Sequence, residues 1–164
     1  MAAAQFARCG WDVSVQYGAN QPGYDLVAVD GDRIMKVSVK GSKDGGWGLT
    51  QSYLTKGTAD YLTAADKWQA KHSAKTVICL VQFHGIPVDA LPRIYLATPR
   101  EVADWLKAAA GGRGDTVLCE THTWQAQARN GSGTTDAIPS QWVFSAERAT
   151  ELGNTIGSLP AAPT

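Results

Sequence analysis

The sequence predicts an α/β fold in which a mixed β-sheet is flanked by helices. Residues 24–29 and 33–40 both read as strands, and Asp30-Gly31-Asp32 between them carries the Asp-Gly signature of a tight hairpin. Further along, helix-like and strand-like runs alternate, which adds helix-linked strands to that hairpin. No GxGxxG follows a strand and no GxxxxGK[ST] occurs, so the doubly wound nucleotide-binding folds lack support.

Taken in order, residues 2–8 read as a short amphipathic helix stopped by Gly10. Residues 11–15 alternate as a first strand, with Trp11, Val13 and Val15 against Asp12 and Ser14. The Gly, Asn and Pro of residues 16–23 make a loop. In the third strand Met35, Val37 and Val39 share one face, and Lys36, Ser38 and Lys40 the other. Residues 41–48 form a Gly-rich loop, and residues 57–72 a helix with Tyr61, Leu62, Ala65 and Trp68 as its apolar stripe. Residues 76–83 are a buried strand and residues 93–97 another. Thr98-Pro99-Arg100-Glu101 combines a capping box with proline at the first helical position, starting a helix that Gly111-Gly112 closes. Residues 116–120 form a last strand, residues 129–136 a loop, and Ser145 caps a helix over residues 146–152.

The 164 residues suit one domain, expected over residues 1–152, with residues 153–164 a flexible tail of small residues and proline. With 44% hydrophobic and 18% charged residues, the chain has an ordinary globular composition. It has no apolar run near the roughly 18–20 residues of a membrane span and no secretory pattern, so a cytoplasmic protein with no membrane partner is expected. Cys9, Cys79 and Cys119 are dispersed, which supplies neither a disulfide framework nor a zinc site. Cys79 and Cys119 read as small core residues. The formal net charge is zero, but residues 33–75 carry eight Lys/Arg against three Asp. That basic middle could follow phosphates, or simply be solvated.

One constellation carries chemistry. Asp25 opens one strand of the hairpin and Lys40 ends the other, so the two fall side by side at the outer end, with Ser38 on the face of Lys40. Phosphodiester hydrolysis uses such a set: a carboxylate holds Mg²⁺, the ion polarises the phosphate and activates a water, and a lysine stabilises developing charge. Taken singly, an Asp after Gly-Tyr is often a turn residue, and a lysine at a strand end is usually solvated.

The run Gly23-Tyr24-Asp25-Leu26-Val27-Ala28-Val29, followed by Lys36-Val37-Ser38-Val39-Lys40-Gly41-Ser42, resembles the D…(D/E)xK core of the PD-(D/E)xK nuclease superfamily. That superfamily includes restriction enzymes and Holliday junction resolvases. The element order over about residues 2–110 suits it. The resemblance implies a restriction endonuclease-like sheet, with Asp25 as the metal-binding acid, the Val39 carbonyl as a further ligand and Lys40 as the catalytic lysine. It implies Mg²⁺ or Mn²⁺, weakly bound without substrate, and DNA as the partner. Relatives often dimerise to cut two strands, which makes a homodimer one expected state. The departure is Ser38, which stands where the second acid belongs. Some relatives with serine there supply the acid from the following helix. Asp44, Gln51 and Asp60 are the residues available for that role, and none has a diagnostic spacing. The Glu often found on the family's first helix is also missing, leaving Gln5.

The leading expectation is a metal-dependent nuclease-like protein, with Ser38 and Gln51 as supporting polar residues and Lys36, Lys43 and Lys56 on phosphates. Trp47, in the Gly-rich loop, could stack on a base or pack over the site; it could also anchor the loop as its large side chain. The alternative is a catalytically inactive nuclease-fold domain that binds nucleic acid or a protein partner. A third reading is a purely structural or interaction domain. His72, His84 and His122 are dispersed and read as structural or exposed.

Overall fold

The computed structural model describes residues 1–17, 23–125 and 132–157. Its main sheet has five strands in the order β1 (Asp12–Val15), β2 (Leu26–Asp30), β3 (Arg33–Ser42), β5 (Thr76–Gln82) and β6 (Arg93–Ala97). β1, β2 and β3 form an antiparallel meander, β5 runs parallel to β3, and β6 is antiparallel to β5. The β2–β3 hairpin pairs Asp30 with Arg33, leaving Gly31 and Asp32 as the turn. Gly31 takes φ 57°, a conformation that a side chain would resist.

Helices cover both faces. On one side α1 (Ala2–Arg8) and α4 (Ala146–Gly157) bring Phe6, Ala149, Leu152 and Ile156 onto Leu26, Ala28, Met35, Val37, Val77, Cys79 and Leu96. Trp11 seals this core, edge-on to Phe6 and under the Arg33 guanidinium. α4 lies so close to it that a Cβ at Gly153 would fall 2.6 Å from the Trp11 ring. On the other side α2 (Tyr61–Ala70) and α3 (Pro99–Gly112) set Ala65, Trp68, Val102, Ala103 and Leu106 against Ile78, Leu80, Tyr95 and Ala97. All seven residues of β5 are buried, as a strand covered on both faces should be. Each large side chain taken out of water here contributes about 1.5–3 kcal/mol.

The second apolar layer sits over β5 and β6. On β3 the same face carries Lys36, Ser38 and Lys40, so it stays polar beside α2. That uneven cover creates the concavity described below.

Several expectations change. α2 starts at Tyr61, because the Asp60 carboxylate accepts the Thr63 N–H at 3.0 Å and caps it there. With that start Leu62 is 44% exposed, and Ala64 joins Ala65 and Trp68 on the buried face. The capping box of α3 forms as expected, but its helical backbone ends before Ala109, and Ala110 turns left-handed at φ 54°. The Ala110 N–H is taken by the Asp136 carboxylate at 2.9 Å. β7 (Val117–Cys119) does not join the main sheet. It pairs with β4 (Gly46–Gly48), a strand inside what reads as a loop. Cys119 is therefore half-buried, whereas Cys79 is fully buried. A further hairpin pairs β8 (Thr121–Thr123) with β9 (Thr135–Ala137), inside the end of the expected 129–136 loop; residues 129–131 lie outside the described residues. α4 continues past Leu152 to Gly157 with Ile156 buried, so residues 153–157 belong to the domain; residues 158–164 of the expected tail lie outside the described residues. None of the described helices is long and apolar enough to cross a membrane.

Candidate functional site

The β2–β3 register decides where the constellation falls. Leu26 lies opposite Val37, so the residue before β2, Asp25, meets β3 at Ser38 and Val39. Asp25 is tied there by three bonds. Its N–H donates to the Val37 carbonyl at 2.8 Å, and its carbonyl accepts the Gln16 N–H at 2.9 Å. Its carboxylate oxygen Oδ2 accepts the Val39 N–H at 2.6 Å. The carboxylate thus fastens one strand's start to its neighbour's backbone.

Lys40 lies two residues beyond Ser38 on the same face. Its carbonyl accepts the Trp47 indole N–H at 2.9 Å, which fixes the backbone beneath the lysine side chain. Asp25, Ser38 and Lys40 all line one cavity of about 490 Å³. Gly48, Leu49, Ser52 and Tyr53 form one wall, and Gly23 and Tyr24 another. Trp68 near the end of α2 and Lys71 and His72 just after it close the cavity. The Trp68 and His72 rings meet edge-on with centroids 4.6 Å apart. Burial, and then the charge of Lys40, hold the His72 imidazole below its ordinary pKa, so it is neutral at pH 7. Among these residues two lysines stand against one carboxylate.

The remaining candidates fall elsewhere. Gln51 lies against Gly48 but opens onto a neighbouring cavity of about 590 Å³, together with Asp44, His84, Cys119, Glu120 and His122. Lys36 places its ammonium over the Tyr24 ring, 5.1 Å from its centroid, at the edge of the site. Lys43 lines a shallower hollow adjoining Lys40 and meets His84 through its carbonyl. Lys56 is exposed and does not line the cavity. Trp47 is only 3% exposed and packs edge-on against Tyr95, so both its faces are covered and it offers no stacking surface. Its role is the loop anchor.

Among the described residues neither Asp44 nor Asp60 lines the cavity of Asp25. The Asp44 carboxylate accepts the Ser42 hydroxyl at 2.8 Å and the Gly46 N–H at 3.4 Å, bonds that hold its pKa below the usual range. Asp60 is occupied as the cap of α2. Among the described residues no three His, Cys, Asp or Glu side chains gather where they could hold a metal. Mg²⁺ demands near-octahedral oxygen ligation. Here one carboxylate is present, and one of its oxygens is already used by a backbone N–H. Most of an octahedral shell at this carboxylate would therefore have to come from water and substrate.

In the neighbouring cavity, Glu120 is already engaged. Arg93 grips it with two bonds of 2.6 and 2.7 Å, and the Tyr95 hydroxyl donates to the same carboxylate. The Arg93 bond is the main cause that lowers the Glu120 pKa, while burial and then Glu120 push Tyr95 up to about 12. This fork holds β6 to the end of β7, a structural clamp.

The residues that reasoning from sequence missed are His72, Lys71 and Tyr53. The first two follow Trp68 at spacings of four and three, which in the helix expected over residues 57–72 would set them beside it; α2 ends at Ala70 and they stand just past it. No family model matches the chain, and no curated protein or solved structure matches it either.

Proposed function

We propose that the protein binds nucleic acid through the cavity of Asp25 and Lys40, on a nuclease-like core that lacks a complete metal site. The observation that carries this reading is the gathering of Lys40, Lys71 and Ser38 around one concavity, with Asp25 as the sole carboxylate in its lining. A half-buried lysine whose backbone is fixed is a preorganised partner for a phosphate oxygen. The order of helix, antiparallel meander, helix and parallel strand also suits the restriction endonuclease-like plan that the sequence motif implies.

The test is fluorescence anisotropy with a labelled oligonucleotide, for the wild type and Lys40→Ala, in EDTA and in millimolar MgCl₂. Wild-type affinity is expected to fall steeply with salt and to be indifferent to Mg²⁺. Lys40→Ala is expected to weaken binding and reduce the salt slope by roughly 0.7–0.9, one phosphate contact. Equal binding by the wild type and Lys40→Ala would sink the reading.

A second reading, metal-dependent hydrolysis of DNA, is favoured by one observation: Asp25 and Lys40 face the same cavity. Cleavage of single-stranded, duplex and branched DNA with Mg²⁺ or Mn²⁺, abolished in both Asp25→Ala and Lys40→Ala, would establish it in place of the first.

A further inference from the structure

The shape of the cavity bears on which form of nucleic acid fits it. A volume of about 490 Å³ is that of a small-molecule pocket, enough for one nucleotide. A duplex presents its phosphates on a convex surface with its bases stacked inside. It would lie across such a concavity rather than enter it, away from the buried Ser38 in its lining. A single strand can turn one nucleotide inward.

The lining of the walls points the same way. Stacking on an aromatic face is the sequence-tolerant means of holding an unpaired base. Three aromatic side chains line this cavity: Tyr24, Tyr53 and Trp68. Trp68 is 4% exposed and faces the His72 ring, so it serves as the back wall. The Tyr24 ring already carries the Lys36 ammonium. Tyr53, partly exposed in the turn after β4 and packed at the margin of the core, remains as the stacking surface.

We propose that the cavity takes one unpaired nucleotide of a single strand, its phosphate on Lys40 and Lys71 and its base against Tyr53. This rests on the phosphate-binding reading above and names the form of its ligand.

The test titrates labelled oligothymidylate, oligouridylate and a blunt duplex of equal length into the wild type, Tyr53→Phe, Tyr53→Leu and Lys40→Ala. The melting temperature of each variant is recorded to confirm that it is folded. The single strands are expected to bind at least ~10-fold tighter than the duplex, and the DNA and RNA arms report which sugar is preferred. Tyr53→Phe keeps the ring and should bind as the wild type. Tyr53→Leu should lose single-strand affinity by roughly 5- to 100-fold, with little change towards the duplex. Equal affinity for duplex and single strand, or equal binding by the leucine and phenylalanine variants, overturns the inference. If Lys40→Ala still weakens binding in that case, the phosphate reading survives. If Lys40→Ala changes nothing, or no probe binds, both fall together.

Discussion

Replacing Asp25 by alanine separates a strand clamp from a metal ligand. The carboxylate accepts the Val39 N–H at 2.6 Å, and alanine leaves that donor without its partner. Hydrogen bonds to charged groups contribute about 1.5–3 kcal/mol. Asp25 is partly exposed, so water takes over part of the lost bond and the expected cost falls to about 1–2 kcal/mol. For a chain of this size each kcal/mol moves the melting temperature by roughly 2–4 °C, which predicts a drop of about 2–8 °C. Asp25→Asn keeps an acceptor oxygen for Val39 and should lose about half as much. The assay is thermal unfolding followed by circular dichroism, in EDTA and again in millimolar MgCl₂. A cation held by the native site at ~100 times its Kd would add about 2.7 kcal/mol, whereas the donor set described here predicts no such gain. The reasoning is refuted if Asp25→Ala melts at or above the wild type in EDTA while Mg²⁺ stabilises the wild type alone. That pattern would mean the carboxylate is reserved for a cation at a cost to the fold.

Trp47→Ala should destabilise by about 3–5 kcal/mol and Trp47→Phe by less, since the ring is buried and the phenylalanine loses chiefly the bond to the Lys40 carbonyl. Unchanged denaturant midpoints together with weakened DNA binding would instead restore Trp47 as a base-stacking residue. His72 has a folded pKa depressed below 6.5, so the stability linked to it is complete above pH 6.5 and is lost as pH falls through the folded value. Protonation adds a charge to a cavity also lined by Lys40 of β3, Lys71 just after α2 and Asp25 ahead of β2. Oligonucleotide affinity should therefore rise on acidification in the wild type and stay flatter in His72→Gln, and identical pH profiles would remove His72 from the site.

The local parts of this fold are legible in the sequence because they rest on local physics. The alternation of Met35 and Val37 with Lys36 and Ser38 needs only a strand with one dry face, and both apolar side chains are fully buried. The Thr98–Glu101 capping box forms both of its reciprocal bonds. Tight hairpin spacing alone brought Asp25 and Lys40 to one cavity. What stayed hidden depends on distant partners. β4 is three residues long with glycine at each end, so it has no alternation to read, and its partner lies far along the chain in β7. Whether Trp47 stacks or anchors turns on the Lys40 carbonyl and Tyr95, both outside its own loop. His72 reads as an isolated histidine until α2 is laid against β3.

The β4–β7 pairing also gives the site a history during synthesis. Asp25, Ser38, Lys40 and His72 all lie within the first half of the chain. The rim residues Gly48 and Leu49 are held by Val117 and by the Thr116 carbonyl, which accepts the Leu49 N–H at 3.0 Å. At about 5–20 residues per second, the ~70 residues between the two strands take a ribosome roughly 4–14 s to add. Lys71 and His72 are added within that interval, after which the cationic residues are present while the strand that fixes their edge is not. A chain stopped before residue 116 would keep the lysines while losing the wall that shapes the cavity around them. Selectivity for a ligand, as distinct from simple attraction to phosphate, would thus be a property that only the later half of the chain confers.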